Sequence, residues 1–308
     1  MNATPANATA PIGVIAHYNL LERLDPAGPG ELFRARDTRL GRTVTIRLLP
    51  ADFAADGLSS DSLIEKARGL ASLSHPNVTA VFDTGEHEGR AYLVFEFLKG
   101  ASLRAEMAGR PVNLRRAVEL AIQIADAVAD AHAAGYVHGG LSPDSIVITA
   151  KGHAKIPALA LASRGGFEPG EGGLRLRDYD SPEETRGQGA DDRSDIYSVG
   201  AVLYEMLTTR RPSHRGAAAP SASNSHVIAD LDEIVLTAVA PNPDLRYQSA
   251  ATFAAELRAV AAILDERGGG GDEEQVEPPG TSVGRVMALT AVILVLVAAA
   301  IWWATRRV

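Results

Sequence analysis

The chain of 308 residues contains no cysteine. Disulfide bonds, thiolate metal sites and cysteine nucleophiles are therefore excluded, and a reducing compartment is compatible with this composition. An excess of basic residues is also missing, because the formal net charge is −8 at pH 7. Nucleic acid is not expected as a partner, since phosphate binding needs clustered lysine and arginine.

The N-terminus lacks a basic start and an apolar run, so residues 1–17 are predicted to be a disordered leader rather than a secretion signal. Residues 286–304, in contrast, contain no charged residue. A helix of that length rises roughly 28 Å, about the thickness of a hydrocarbon core. We therefore predict a linker rich in glycine, acid and proline over 266–285, a membrane helix over 286–305 and a tail over 306–308.

The orientation of this predicted anchor follows from the cost of export. Without a secretion signal, moving a folded domain across the membrane is harder than moving a short tail. We therefore expect a single-pass protein of the cell membrane, with its N-terminal domain in the cytoplasm.

The region between the leader and the linker changes character along its length. Residues 18–98 contain β-rich segments such as YNLLERL, VTIRLL and AYLVFEF, whereas residues 99–265 carry apolar residues mainly at helical spacing. This order predicts an α+β fold with a β-rich N-terminal lobe over 18–98 and an α-rich C-terminal lobe over 99–265.

Several short motifs resemble the bacterial eukaryotic-like serine/threonine protein kinase family. HPNV at 75–78 is similar to the turn after the family's C-helix, SPE at 181–183 to its Ala-Pro-Glu element, and DIYSVG at 195–200 to its Asp-x-Trp-x-x-Gly helix start. The resemblance implies a two-lobed kinase fold. It also implies an ion pair between Arg246 and Glu183. A further implication is a hydrophobic spine of four side chains that Asp195 anchors: Leu70, Val81, His138 and Leu159.

The catalytic loop of that family has its counterpart in HGGLSPDS at 138–145. The family places an aspartate base two residues after the histidine and an asparagine metal ligand five residues later. Here those positions hold Gly140 and Ser145, and Ser142 replaces the family's lysine. Glycine cannot orient a substrate hydroxyl, and Mg²⁺ prefers amide or carboxylate oxygen to a serine hydroxyl.

The nucleotide-binding positions also depart from the family pattern. The family's phosphate loop has three glycine positions. In this chain they hold Asp25, Ala27 and Gly30, so one of the three glycines remains. The other replacements are Arg47 for the β-strand lysine, Lys66 for the C-helix glutamate and Ala158 for the metal-binding aspartate. Because these changes remove metal oxygens and backbone access to phosphate, neither ATP nor Mg²⁺ is expected as a cofactor.

The sequence therefore predicts a membrane-anchored pseudokinase that acts as a protein-binding, scaffold or regulatory module in signalling. Its expected partner is an active kinase or a phosphopeptide-binding protein. Two alternatives stay open: a serine/threonine kinase that uses unorthodox groups, and a sensor of anions or metabolites with Arg47 and Lys66 in its cleft. Asp144 is weighed as a displaced base, and Tyr179 as the one hydroxyl between 164 and 180 open to phosphorylation.

Overall fold

The computed structural model describes residues 11–24, 30–51, 67–69, 71, 73–156 and 177–269. The chain divides into two units, residues 1–262 and 263–308. Both lobes of the kinase-like fold belong to the first unit, and the described part of the second is the end of the last helix, up to Gly269.

The N-terminal lobe is built on an antiparallel sheet with the strand order β1-β2-β3-β4-β6-β5 in the described part of the chain. The strands are β1 Gly13–Ile15, β2 Tyr18–Leu24, β3 Glu31–Asp37, β4 Thr43–Leu48, β5 Val81–His87 and β6 Arg90–Glu96. Alternate residues of β4 are buried, as Val44, Ile46 and Leu48 show. This period of two follows from the pleat of a strand that has one face on the core.

The C-terminal lobe is mainly helical. A small sheet, β7 Gly100–Ser102, β8 Val147–Thr149 and β9 Ala154–Lys155, accompanies helices α1 Leu103–Met107, α2 Leu114–Ala133, α3 Asp192–Thr208, α4 Ala229–Ala238 and α5 Ala250–Gly269. Helix α3 is buried from Ser194 to Thr208 and packs against α2 and α4. A helix buried on all sides forms the centre of a lobe, and the site elements attach to it.

The predicted two-lobed α+β fold is confirmed, and two predicted boundaries differ from the structure. Residues 13–15 lie inside the predicted disordered leader, yet they form β1, because Ile15 is buried and the strand pairs with β2. Helix α5 continues to Gly269, beyond the predicted start of the linker at 266.

The predicted membrane helix over 286–305 lies outside the described residues. Within the residues that the structure describes, none of the helices combines the length and apolar character needed to cross a bilayer.

Candidate functional site

The buried carboxylate of Asp195, near the start of α3, organises the segment that corresponds to the catalytic loop. Its oxygens accept hydrogen bonds from the backbone N–H groups of His138 and Gly139, both at 2.7 Å. The Nε2 atom of His132 on α2 lies 2.8 Å from the same carboxylate. Asp195 therefore joins α2, α3 and the loop.

Glu183 and Arg246 form a second buried link. The guanidinium of Arg246 donates to both carboxylate oxygens of Glu183 at 2.6 and 2.7 Å, and the Arg246 side chain has no exposed surface. Ser194 of α3 adds a hydrogen bond to Glu183 at 2.9 Å. Burial alone would raise the pKa of Glu183, but hydrogen bonds from Arg246, Ser181 and Ser194 hold it at about 2. The carboxylate is therefore charged at neutral pH.

The loop itself is closed on two serines. The backbone N–H of Ser142 donates to Oγ of Ser145 at 3.1 Å, and that hydroxyl donates to the carbonyl of Ser142 at 3.0 Å. The backbone N–H of Ser145 lies 3.3 Å from Oγ of Ser142, which is itself buried. Both hydroxyls thus satisfy local polar groups of the loop, in the manner of serine-stabilised turns.

The glycines of the loop have different roles. Gly140 occupies the position of the family's base and offers no side chain. Gly139 has a φ of +60°, in the left-handed region that favours glycine. The sequence drew attention to Gly140, but the backbone conformation depends on Gly139, whose N–H contacts Asp195.

Asp144 does not lie ready to act as a base. Its carboxylate is 3.3 Å from Nε of Arg104 on α1, and the same guanidinium contacts Oε1 of Glu205 at 2.6 Å. Tyr179 also bonds to Arg104 and to Glu205. These four side chains form one network that joins the loop, α1, α3 and the segment before residue 180.

The same network removes Tyr179 as a phosphorylation site. Its side chain is buried, and its hydroxyl is bonded to Arg104 and Glu205. Burial and the neighbouring Glu205 carboxylate raise the pKa of the Tyr179 hydroxyl. The interpretation of Tyr179 as an open acceptor was wrong, because the sequence does not show that α1 and α3 cover it.

Two positions of the predicted nucleotide cleft are described. Gly30 has a φ of +86°, and a Cβ atom there would lie 2.2 Å from the carbonyl oxygen of Leu48. This glycine is therefore required by the close approach of neighbouring backbone, whether or not phosphate binds. Arg47 lies on β4 between Leu32 of β3 and Leu93 of β6. Burial lowers the pKa of its guanidinium.

The remaining predicted site residues are placed as follows. Val81 begins β5 and is buried, as is His138 in the loop. The positions outside the described residues are Asp25, Ala27, Lys66, Leu70, Ala158 and Leu159. The structure therefore brings together His138, Asp195, Glu183 and Arg246 through α3, while an Arg47–Lys66 site stays a prediction.

Mg²⁺ with ATP is the group that the fold implies, and the described loop residues do not fit it. The hydroxyls of Ser142 and Ser145 are engaged within the loop, and a carboxylate oxygen of Asp144 faces Arg104. Among the residues that the structure describes, His, Asp and Glu side chains do not form a cluster able to hold a metal ion. The strong metal ligands are carboxylate and amide oxygens, which the loop does not present.

The class of protein follows from this fold and from comparison with known proteins. The sequence profile described as "Protein kinase domain" matches residues 19–261. The chain belongs to the protein kinase domain family, and its relatives are bacterial eukaryotic-like serine/threonine kinases, as predicted.

Two relatives and one structure show the range of similarity. The chain is 35% identical over 272 residues to the serine/threonine-protein kinase PknB of Mycobacterium tuberculosis. The matched region covers 81% of this chain and 44% of that protein. It is 34% identical over 269 residues to the probable serine/threonine-protein kinase SCO3848 of Streptomyces coelicolor. Here the matched region covers 79% of this chain and 39% of that protein. The chain thus spans about two fifths of the length of these relatives.

The crystal structure of the Mycobacterium tuberculosis PknI kinase domain shares the fold. It superposes with a TM-score of 0.67 at 21% identity and covers 82% of this chain and 99% of that domain. At this identity the likeness concerns architecture, not chemistry.

Sequence reasoning missed two contributors to the site and the role of a third. Arg104 and Glu205 lie outside the motifs of the loop, and Gly139 lies within HGGLSPDS but received no role of its own. Arg104 and Glu205 are 101 residues apart in the chain, and only the packing of α1 on α3 brings them together. The glycine pair at 139–140 was the one available indication of an unusual backbone.

Proposed function

We propose that the chain is a pseudokinase, a kinase-fold binding and scaffold module without phosphoryl transfer. One observation carries the proposal: the serines at the catalytic lysine and metal-ligand positions bond to the loop that holds them. The position of the base is Gly140, and the nearest carboxylate in sequence, Asp144, is engaged by Arg104. Phosphoryl transfer depends on metal electrostatics and positioned groups, which this loop lacks.

A transfer assay tests the proposal. The purified full chain, kept in mild detergent, is incubated with γ-labelled ATP and either Mg²⁺ or Mn²⁺, with a general protein substrate present. We expect no label in the chain or in the substrate. Label that disappears in the Arg47→Ala variant would show chemistry in this cleft and would refute the proposal, whereas label unaffected by Arg47→Ala and by chain concentration would come from a contaminant.

The second candidate is an active serine/threonine kinase that uses unorthodox groups. The names of the relatives favour it, since PknB is a serine/threonine-protein kinase and SCO3848 a probable one. It would need a metal ligand and a base from residues other than Gly140, Ser142 and Ser145. The same transfer assay separates the two candidates.

The proposed role includes a place in the cell. We propose that residues 286–305 anchor the chain in the cell membrane with the kinase-fold domain in the cytoplasm, where it meets an active kinase or a phosphopeptide-binding protein. The charge-free run at 286–304 supports the anchor. Expression of the chain with and without residues 286–308, followed by alkaline extraction of membranes, tests it. A full chain that alkali releases from the membranes would refute the anchor.

A further inference from the structure

A groove lies along the segment that links the two lobes. It has a volume of about 700 Å³, and its lining comes from the turn at 76–77, the linking segment 96–99, Gln123 of α2, and residues 149–155 around the β8–β9 turn. None of these residues belongs to the loop at 138–145 or to the predicted phosphate loop. The lining of the groove thus shares no residue with the predicted catalytic and phosphate-binding positions.

The cations of the groove are lysines in a chain that otherwise uses arginine. The sequence contains four lysines, at positions 66, 99, 151 and 155, among 30 basic residues. Three of the four, Lys99, Lys151 and Lys155, line this one groove together with His153. Such a concentration produces a local positive surface on a chain whose net charge is −8.

Charge balance leaves two of these lysines available. Lys155 binds the single acidic lining residue, Glu96, with Nζ 2.6 Å from Oε2. Lys99 and Lys151 are exposed, and neither has an ion-pair partner among the residues that the structure describes. Its three lysines and one glutamate therefore leave the groove an excess of two positive charges.

The wall that carries Lys151 and His153 is held in place by hydrogen bonds. The backbone N–H of Ala150 donates to the carbonyl of Lys99 at 3.1 Å, which ties the β8–β9 turn to the linking segment. Arg116 of α2 donates to the carbonyl of Gly152 at 2.6 Å. A preformed arrangement of this kind reduces the entropy lost when a partner binds.

The floor of the groove is likewise fixed. The side-chain amide of Asn77 donates to the carbonyl of Ala154 at 2.7 Å, and Oε1 of Gln123 accepts from the Ala154 N–H at 2.8 Å. These polar groups are thus satisfied within the protein. What remains for recognition is the pair of lysines and the half-buried apolar side chains of Phe97 and Leu98.

We propose that this groove binds an acidic peptide segment of a protein partner, one with carboxylates next to an apolar side chain. The exposed cations, Lys99 and Lys151, lie on two adjacent segments that the Ala150–Lys99 hydrogen bond joins, and Phe97 and Leu98 belong to the same lining. A compact phosphate would leave Phe97 and Leu98 uncovered, whereas an acidic peptide with an apolar side chain matches both the charge and the apolar surface. The inference rests on the proposed binding role and names the partner's chemistry.

The small number of lysines makes occupancy of the groove directly measurable. The full chain is treated with a lysine acetylating reagent, with and without a pool of synthetic hexapeptides made of glutamate, aspartate, leucine and phenylalanine. Mass spectrometry then follows each lysine separately. At ten times the dissociation constant we expect Lys99 and Lys151 to react about tenfold more slowly, as mass action requires.

Matched variants identify the site. The Lys99→Glu/Lys151→Glu double variant is expected to weaken binding of the labelled pool about tenfold or more, since it reverses both available charges. Arg110→Glu/Arg215→Glu changes the net charge equally at exposed residues outside the groove and is expected to bind as the parent does. Circular dichroism checks that each variant is folded.

Three results would overturn the proposal: no protection by the peptide pool, equal loss in the control variant, or equal protection by inorganic phosphate. The last would indicate a small-anion site in place of a peptide groove. Each of these outcomes leaves the transfer assay with labelled ATP unchanged. Phosphoryl transfer, in turn, would refute the proposed pseudokinase without affecting the groove.

Discussion

The buried contacts that Glu183 and Arg246 make beside α3 differ from those of the loop at 140–145 in how polar groups are satisfied. At the first, charged groups are buried and matched, as in the bidentate pair of Arg246 and Glu183. At the second, small residues close the loop with hydroxyl contacts. The comparison teaches that the kinase fold needs the first set of contacts for its architecture, while the loop holds its path with the hydroxyls of Ser142 and Ser145.

The largest expected effect tests the α3 side of this comparison. Arg246→Ala leaves the buried Glu183 carboxylate without its cation, which costs about 3–5 kcal/mol in the free energy of unfolding. Chemical denaturation measures it. Arg215→Ala, at an exposed position, is the control and should change stability by less than about 0.5 kcal/mol. A loss below about 1 kcal/mol for Arg246→Ala would show that the pair is not a structural element.

Acid should act on the same pair. The pKa of Glu183 is about 2 in the folded chain against 4.5 for a free side chain, so its stabilisation is fully present above pH 4.5 and is lost as the pH falls toward 2. The shift corresponds to about 3 kcal/mol. Denaturation between pH 6 and pH 2 should show a shallower acid loss for Glu183→Gln than for the parent. Equal slopes would contradict the assignment.

The loop should respond far less. Ser142→Ala and Ser145→Ala each remove neutral hydrogen bonds, worth about 1 kcal/mol. Because the two hydroxyls serve the same turn, the double variant should cost less than the sum of the single ones. A double-mutant cycle by denaturation measures the coupling. Strict additivity would mean that the serines act independently.

The smallest expected effect concerns Tyr197 of α3. The hydroxyl of Tyr197 is buried and has no hydrogen-bond partner among the described residues. Tyr197→Phe removes that unsatisfied group, so stability should be unchanged or should rise by up to about 1 kcal/mol. A loss of more than about 1 kcal/mol in thermal or chemical denaturation would reveal a partner for the hydroxyl.

Much of the fold could be predicted from local patterns. Strand β2 matches the predicted strand at Tyr18–Leu24, and α2 ends at Ala133, just before Gly135 with its φ of +81°. Short elements such as β1 escaped prediction, since three residues carry too little periodicity. The family resemblance implied the Glu183–Arg246 pair, which the structure contains.

The lateral contacts of the site could not be predicted. The Arg104 network joins residues 101 positions apart, and the two loop serines engage each other through a backbone path that glycine at 139 permits. The groove lysines had a trace in the sequence, since three of four lysines fall between 99 and 155. Only the fold shows that these three lysines line the same groove.

One measurement tests the central claim most directly, namely that the cleft cannot hold a metal-bound nucleotide. The thermal unfolding midpoint of the full chain is recorded with and without millimolar ATP and Mg²⁺. A ligand that binds only the folded form at 100 times its dissociation constant stabilises it by about 2.7 kcal/mol. We expect an unchanged midpoint. A midpoint several degrees higher that requires both ATP and Mg²⁺ would contradict it.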